Sequence, residues 1–477
     1  MDEAGQNGEP QGAASFPIPK RTPSTFLRKL NIAGSSLKRD VAHVYGGLAI
    51  MRRLGIFALL AGVMIALAAS AHAQTFPPEV QVGSRVITDF EFDWGRDGTY
   101  CATCNFGDGN NRLTFIDPFG YVWIGHVDVT TGDFVPTNGE GTLVDSDAVP
   151  SVAIGNGSEW VNLPKASALV YTRNEYTDST PGMCLGFAHV GPNGAWTGGC
   201  VPGSDGDTLP IGTLIVGDPY PMVSFQNNAG QGFDLYWQML SRGSTPNMVF
   251  PGSRTPPSHR WLPNMHAMVL VAPAAPDESG NIYRQVFLYS TDGTLQQLTF
   301  DPTNKNSPFM WQAPELNNKY VFLQVPEDSK EVDIYRYLPN RNGPPSWQVF
   351  ERIQGTADYP YIYSPEPFVY QGKSYIFFEL ASAPHQLGKF APSQIAMSGI
   401  DPKVPSFRVL TEDVAPNAHA RRDPEYYITV MGPYFYYNRI IPAPPGGAAV
   451  NEGVFRVDSG LGPPQAPTAK PAMHAKR

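Results

Sequence analysis

One supersecondary pattern recurs along this chain about every 53 residues, and no other feature limits the fold as strongly. "EWVNLPKASALVYTR" from Glu159, "EPFVYQGKSYIFFEL" from Glu366 and "EYYITVMGPYFYYNR" from Glu425 superpose without gaps. Each carries an acid, a short apolar or aromatic run, a turn-like middle, and a second run rich in aromatics. "RWLPNMHAMVLVAPA" from Arg260 and "WQAPELNNKYVFLQV" from Trp311 fit the same frame, and "DPYPMVSFQNNAGQGFDLYW" from Asp218 fits with about six extra residues. Starts at 159, 218, 260, 311, 366 and 425 are spaced by 59, 42, 51, 55 and 59 residues. Strand-rich units of that length are blades of a propeller.

A second half follows each unit more loosely, as in "VFLYSTDGTLQQLTF" from Val286, "VDIYRYLPNRNGPPSWQVF" from Val332 and "IAMSGIDPKVPSFRVL" from Ile395. Each is a strand, a Gly- or Pro-bearing turn and another strand, so a unit holds four strands. "VWIGHVDVTTGDFVP" from Val122 adds one more unit ahead of Glu159, with no clear first half. The expected fold is all-β: a single propeller of seven four-stranded blades over residues 84–458, with six as the rival because the unit from Asp218 to Arg260 is short. "SRVITDFEF" is expected to pair with the last blade and close the ring. The composition agrees, with 47 Gly, 47 Pro and abundant aromatics, and no helical stripe recurs along the repeats.

The ends read differently. Residues 1–50 read as an extension outside the native protein or a disordered one, and 51–73 as a secretory signal: Arg52 and Arg53, an apolar stretch from Leu54 to Ala69, and the small-residue site Ala71-His72-Ala73. A short linker, 74–83, would precede the propeller, and 459–477 would be a disordered tail. The expected location is the periplasm or the medium, with no stable membrane span once the signal is cleaved. Past residue 73 the chain has 26 basic and 39 acidic residues, a formal charge of −13 that repels phosphate backbones and argues against nucleic acid as a partner. Four cysteines lie in this part: Cys101, Cys104, Cys184 and Cys200. An oxidising compartment favours two disulfides, and three pairings are open. "CATC" sits in turn chemistry rather than at a helix start, which disfavours a redox role.

Residues 290–325, "STDGTLQQLTFDPTNKNSPFMWQAPELNNKYVFLQV", resemble a blade of the TolB-type propellers, a group related in fold to WD40 proteins. In those blades a hairpin ends in "LT", and a W-S-P-D-G turn leads into an apolar strand. Trp311-Gln312-Ala313-Pro314-Glu315 stands in place of that turn. In the repeat frame Trp311 is the counterpart of Glu366, which opens an innermost strand, while Glu315 falls in a hairpin turn as a structural acid. The resemblance implies the fold and is silent on activity.

Innermost strands line a propeller's channel, so residues at one phase of the repeat form a ring at its mouth. That phase gives Glu159, Asp218, Arg260, Trp311, Glu366 and Glu425, an acidic and aromatic opening. Crowded carboxylates raise one another's pKa, tryptophan offers a flat apolar face, and Arg260 can pair with a carboxylate. Two loops add candidates: "HARRDPEYY" with His419, Arg421, Arg422 and Asp423, and "SHRW" with His259. The bland alternative is that an acid at a strand start accepts backbone N–H groups from the neighbouring loop, and that a charge run is a solvated face. No metal motif is recognisable, the cofactor is unknown, and a calcium or manganese ion on ring carboxylates stays open.

"GDPYP", "SPEPFVY" and "RRDPEYY" are similar to strand starts of the propeller glycosidases that include arabinanases and xylosidases. That resemblance implies three mouth carboxylates as base, acid and pKa modulator, carried here by Asp218, Glu366 and Asp423 or Glu425. Those enzymes have five blades and a first catalytic aspartate near the mature N-terminus, for which no counterpart is read here. The functional expectation is therefore an exported propeller binding a glycan, peptide or protein at its mouth. The enzymatic alternative is a glycoside hydrolase, or a lyase in which Arg260 neutralises a uronate and His259 or His419 is the base.

Overall fold

The computed structural model describes residues 76–464, apart from 94–110, 151–156, 340–345, 414–417 and scattered shorter stretches. The signal segment, the N-terminal extension, Cys101, Cys104 and most of the C-terminal tail lie outside the described residues.

Seven antiparallel sheets follow one another along the chain. Blade five shows the plan: Lys305–Ala313 is innermost, then Lys319–Pro326, Glu331–Leu338 and Ser346–Gln354 outermost. The second strand of a blade is sandwiched between two neighbours, which is why it reads as an unbroken apolar run rather than an alternating one. Ala267–Pro273 is buried through six of its seven residues, and Lys373–Ala381 through seven of nine. Outer strands such as Ser346–Gln354 are only half-buried.

The core comprises seven apolar seams, one between each pair of adjacent blades. Leu113 and Phe115 of blade one meet Tyr436 and Val454 of blade seven, and Ile116 and Ile124 meet Leu169 and Ala188 of blade two. Blade three joins blade two through Val223 and Phe225, and blade four through Met222 and Leu235. Phe322 faces blade four, while Val321 and Leu323 face blade six. Phe368 and Phe377 then pack on Tyr426 and Phe435 of blade seven. Each blade buries both faces against its neighbours, so the seven form one closed ring.

Three sequence expectations need correction. Ring closure falls to Val80–Gly83, which pairs with Val450–Asp458, because Glu79 just ahead of it is bound at 2.8 Å by both Nε and Nη2 of the buried Arg421. Within "SRVITDFEF", Glu91–Phe92 is instead the innermost strand of blade one, the half-blade that the sequence concealed. Blade three has all four strands, and its first is Asp207–Thr213, so the unit does not begin at Asp218. Cys184 and Cys200 form a disulfide on neighbouring strands of blade two, with Cα atoms 5.7 Å apart. Among the described residues no helix is long and apolar enough to cross a membrane.

Candidate functional site

Four innermost strands share one local device. Their ladders slip between Thr208 and Ile211, Asn306 and Phe309, Tyr363 and Glu366, and Arg422 and Glu425. Inside each slip lies a residue with positive φ followed by proline: Leu209 at 54°, Ser307 at 46°, Ser364 at 45° and Asp423 at 58°. Such a bulge turns the strand and re-aims the side chain after it. Proline is tolerated because an innermost strand has one unpaired edge. Asp89, at 59°, stands in the same relation to Glu91 without a proline. Glu366 therefore sits within the strand Tyr361–Tyr370, after its bulge, and does not open it.

The residue two places after each left-handed position gives the ring: Glu91, Ile211, Phe309, Glu366 and Glu425. Glu159 and Arg260, on the innermost strands of blades two and four, complete it. All seven line one cavity of about 370 Å³, with Trp160, Trp261, Trp311 and Tyr426 among the aromatic walls.

Six carboxylates line this cavity, in two tiers. Asp423 Oδ2 accepts the N–H of Asp89 at 2.6 Å, and Asp89 Oδ2 accepts the N–H of Gly157 at 2.5 Å. Blades seven, one and two are thus linked in sequence around the mouth. The approach at Gly157 is close enough that a Cβ there would lie 2.0 Å from the Asp89 carbonyl oxygen. By contrast, the carboxylates of Glu91, Glu159, Glu366 and Glu425 have no hydrogen-bond partner among the described residues.

Although partly open by area, the ring acids are enclosed by blades on every side, and burial dominates their ionisation. It lifts Glu366 to about 7, with Asp423 and Glu159 adding repulsion and Arg260 opposing. Burial also pushes Glu425 and Glu91 well above the usual carboxylate range, assisted by Glu366 in both cases. Glu159 is raised by burial, and Asp423 and Asp89 are raised despite their backbone donors. The Arg260 guanidinium is held charged by Glu366, Glu159, Asp89 and Glu425, yet none of them closes to ion-pair distance among the described residues. It lies over the Phe309 ring at 5.1 Å and donates from Nη1 to the His259 carbonyl at 3.0 Å.

The other residues proposed from sequence fall elsewhere. Asp218 lies in the connection after Asp207–Thr213, faces His266 at 3.3 Å and is not among the cavity-lining residues, because an acid-first frame misassigned blade three. Trp311 is displaced by two residues from the ring position, which Phe309 holds. It still lines the cavity, but its N–H is spent on Ser374 Oγ at 3.0 Å, and Ser374 in turn donates to Glu315. Glu315 is the structural acid that the sequence implied. His259 is buried, with Nδ1 3.1 Å from the Pro257 carbonyl and Nε2 2.8 Å from Ser224 Oγ, and burial lowers its pKa to about 4. Arg421 and His419 belong to the closure of the ring, where Asp413 accepts from both. Arg422 pairs with Glu379 at 3.2 Å and does not line the cavity. Sequence reasoning missed Asp89, Glu91, Ile211 and Phe309, although Leu209-Pro210-Ile211 and Ser307-Pro308-Phe309 echo Ser364-Pro365-Glu366 and Asp423-Pro424-Glu425. Among the described residues, no group of three or more His, Cys, Asp or Glu side chains is disposed to hold a metal ion.

No family model and no curated protein matches this chain. Solved structures similar to it include the β-propeller domain of Cps50 (Swd1) from Myceliophteria thermophila, at 7% identity and TM-score 0.43 over 80% of this chain and 98% of that one. Another is the GH43 endo-arabinanase of Bacillus licheniformis, at 10% identity and TM-score 0.26 over 61% and 96%. The acylaminoacyl peptidase of Pyrococcus horikoshii matches at 11% identity and TM-score 0.33 over 59% of this chain, which spans only 42% of that one. These likenesses are too distant to bear on activity.

Proposed function

We propose that the channel mouth binds a polar ligand, a glycan or a peptide or protein segment, in an exported propeller of TolB-like type. One observation carries the reading: among the described residues, four glutamates without hydrogen-bond partners and a guanidinium with no carboxylate at ion-pair distance face a single cavity of about 370 Å³ with aromatic walls. Leaving such groups half-desolvated is costly unless something outside the chain satisfies them. A purely structural ring would be expected to pair its acids as Asp89 and Asp423 are paired.

The second reading is catalytic, and the raised pKa of Glu366, about 7, supports it by supplying a proton donor near neutrality. Glu366 would protonate a glycosidic oxygen, with Asp423, which is raised less strongly than Glu425, as its ionised counterpart. Asp218 has no part in this version. The lyase version loses its base, since neither His259 nor His419 lines the cavity.

The test is calorimetric titration of residues 74–477 with panels of plant and algal oligosaccharides and short peptides, alongside Glu366→Gln and Glu425→Gln. Binding that weakens at least tenfold in either folded variant supports the site. Binding unchanged in both removes the ligand from the mouth. Product release from any bound oligosaccharide, abolished in Glu366→Gln, would establish the catalytic reading.

A further inference from the structure

The ring is electrically lopsided. Blades six, seven, one and two are consecutive around the closed circle, and they contribute Glu366, Glu425, Glu91 and Glu159. Blades three, four and five contribute Ile211, Arg260 and Phe309. One arc is all carboxylate; the other is a guanidinium between an aliphatic side chain and an aromatic ring. Among the described residues no glutamate reaches Arg260 at ion-pair distance; the guanidinium leans on Phe309 and donates from Nη1 to the His259 carbonyl.

Resting on the channel-mouth reading, we infer that the natural ligand is zwitterionic, an amino-acid or oligopeptide type of molecule whose ammonium meets the glutamate arc and whose carboxylate meets Arg260. An amine alone would leave Arg260 unsatisfied. An anion alone would leave the glutamate arc without a partner. A neutral sugar would use neither charge in full. A molecule carrying both charges satisfies both arcs while adding no net charge to an enclosed cavity. Its carboxylate can meet the guanidinium fork with paired hydrogen bonds, and its apolar spacer can lie along Trp160, Trp261 and Phe309.

The probes are ω-amino carboxylates from glycine to 8-aminooctanoate, with hexylamine, hexanoate and N-acetyl-6-aminohexanoate as single-charge controls and maltohexaose as a neutral one. Binding is followed calorimetrically and by the fluorescence of the three tryptophans lining the cavity. The expected result is a chain-length optimum within the zwitterion series, with the best member binding about tenfold or more tighter than the amine of equal length. Arg260→Gln should bring that zwitterion down to the amine's level without weakening the amine. Because the wild-type comparison stands alone, a misfolded variant does not shield the inference. Equal affinity for amine and zwitterion in the wild type overturns it, as does an unchanged ratio in folded Arg260→Gln. If maltohexaose binds in a Glu366-dependent way with no zwitterion preference, the inference falls and the site reading stands. If no probe and no panel ligand binds, both fall.

Discussion

Asp423 and Glu425 are two residues apart on one strand, Asp89 lies two residues ahead of Glu91 just before another, and all four are acids lining one cavity. They differ in what surrounds their oxygens. The aspartates are short, sit on left-handed backbone and accept an N–H from the next blade. The glutamates reach one bond further and have no donor among the described residues. A negative charge alone therefore says little about role at this mouth, and side-chain length with the local supply of backbone N–H groups says much. The aspartates bridge two seams, and the glutamates have no hydrogen-bond partner among the described residues.

The largest test of this contrast is Asp423→Ala. It strips the acceptor from the Asp89 N–H at the seam of blades seven and one, and should cost about 3 kcal/mol in urea denaturation. Asp423→Asn keeps an acceptor and should lose less than half as much. An alanine variant as stable as the wild type would erase the distinction between tiers.

Next comes Glu366→Gln. The folded pKa of Glu366 is about 7 against an ordinary 4.5, so the folded state binds its proton more tightly than the unfolded chain. The stabilisation is complete below the ordinary value and is lost as pH rises towards and through about 7. Glutamine should thus match the wild type at about pH 4 and exceed it by up to about 3 kcal/mol at about pH 8, read as melting temperature against pH. A variant less stable at high pH would place Glu366 among the structural acids. The smallest effect belongs to the bulge beneath. Ser364→Gly should stabilise by up to about 1 kcal/mol by relieving the left-handed backbone, and Ser364→Val should destabilise. Identical melting curves for the two would remove backbone strain from the account of how Glu366 is aimed.

The architecture was legible because every blade repeats the same local sequence of strand, turn and apolar run. Seven units were countable even where one lacked a visible half. The ring was legible in four places, Glu159, Arg260, Glu366 and Glu425, and misread in two. Anchoring on an acid before an apolar run put blade three at Asp218, and carrying the same ungapped frame along the chain put blade five at Trp311. The residue before proline would have found Ile211 and Phe309, since the bulge needs that pair of residues more than it needs a charge. Glu91 was hidden because no proline follows the left-handed Asp89 and its strand is only two residues long. The partition into tiers was beyond any local reading. Asp89 and Asp423 are 334 positions apart, and only ring closure brings a backbone N–H of one to the carboxylate of the other.

Closure by Val80–Gly83 against Val450–Asp458 has a topological corollary. Val80 is the register partner of Arg456, so the first and last strands of the ring lie side by side. A short covalent bridge could join them, and the chain could be reopened at the exposed hairpin tip around Asp277 and Gly280 of blade four. In such a permuted chain, blade seven would be built from contiguous sequence, and the severed blade would be the one that must find its missing strands across the whole length of the polypeptide.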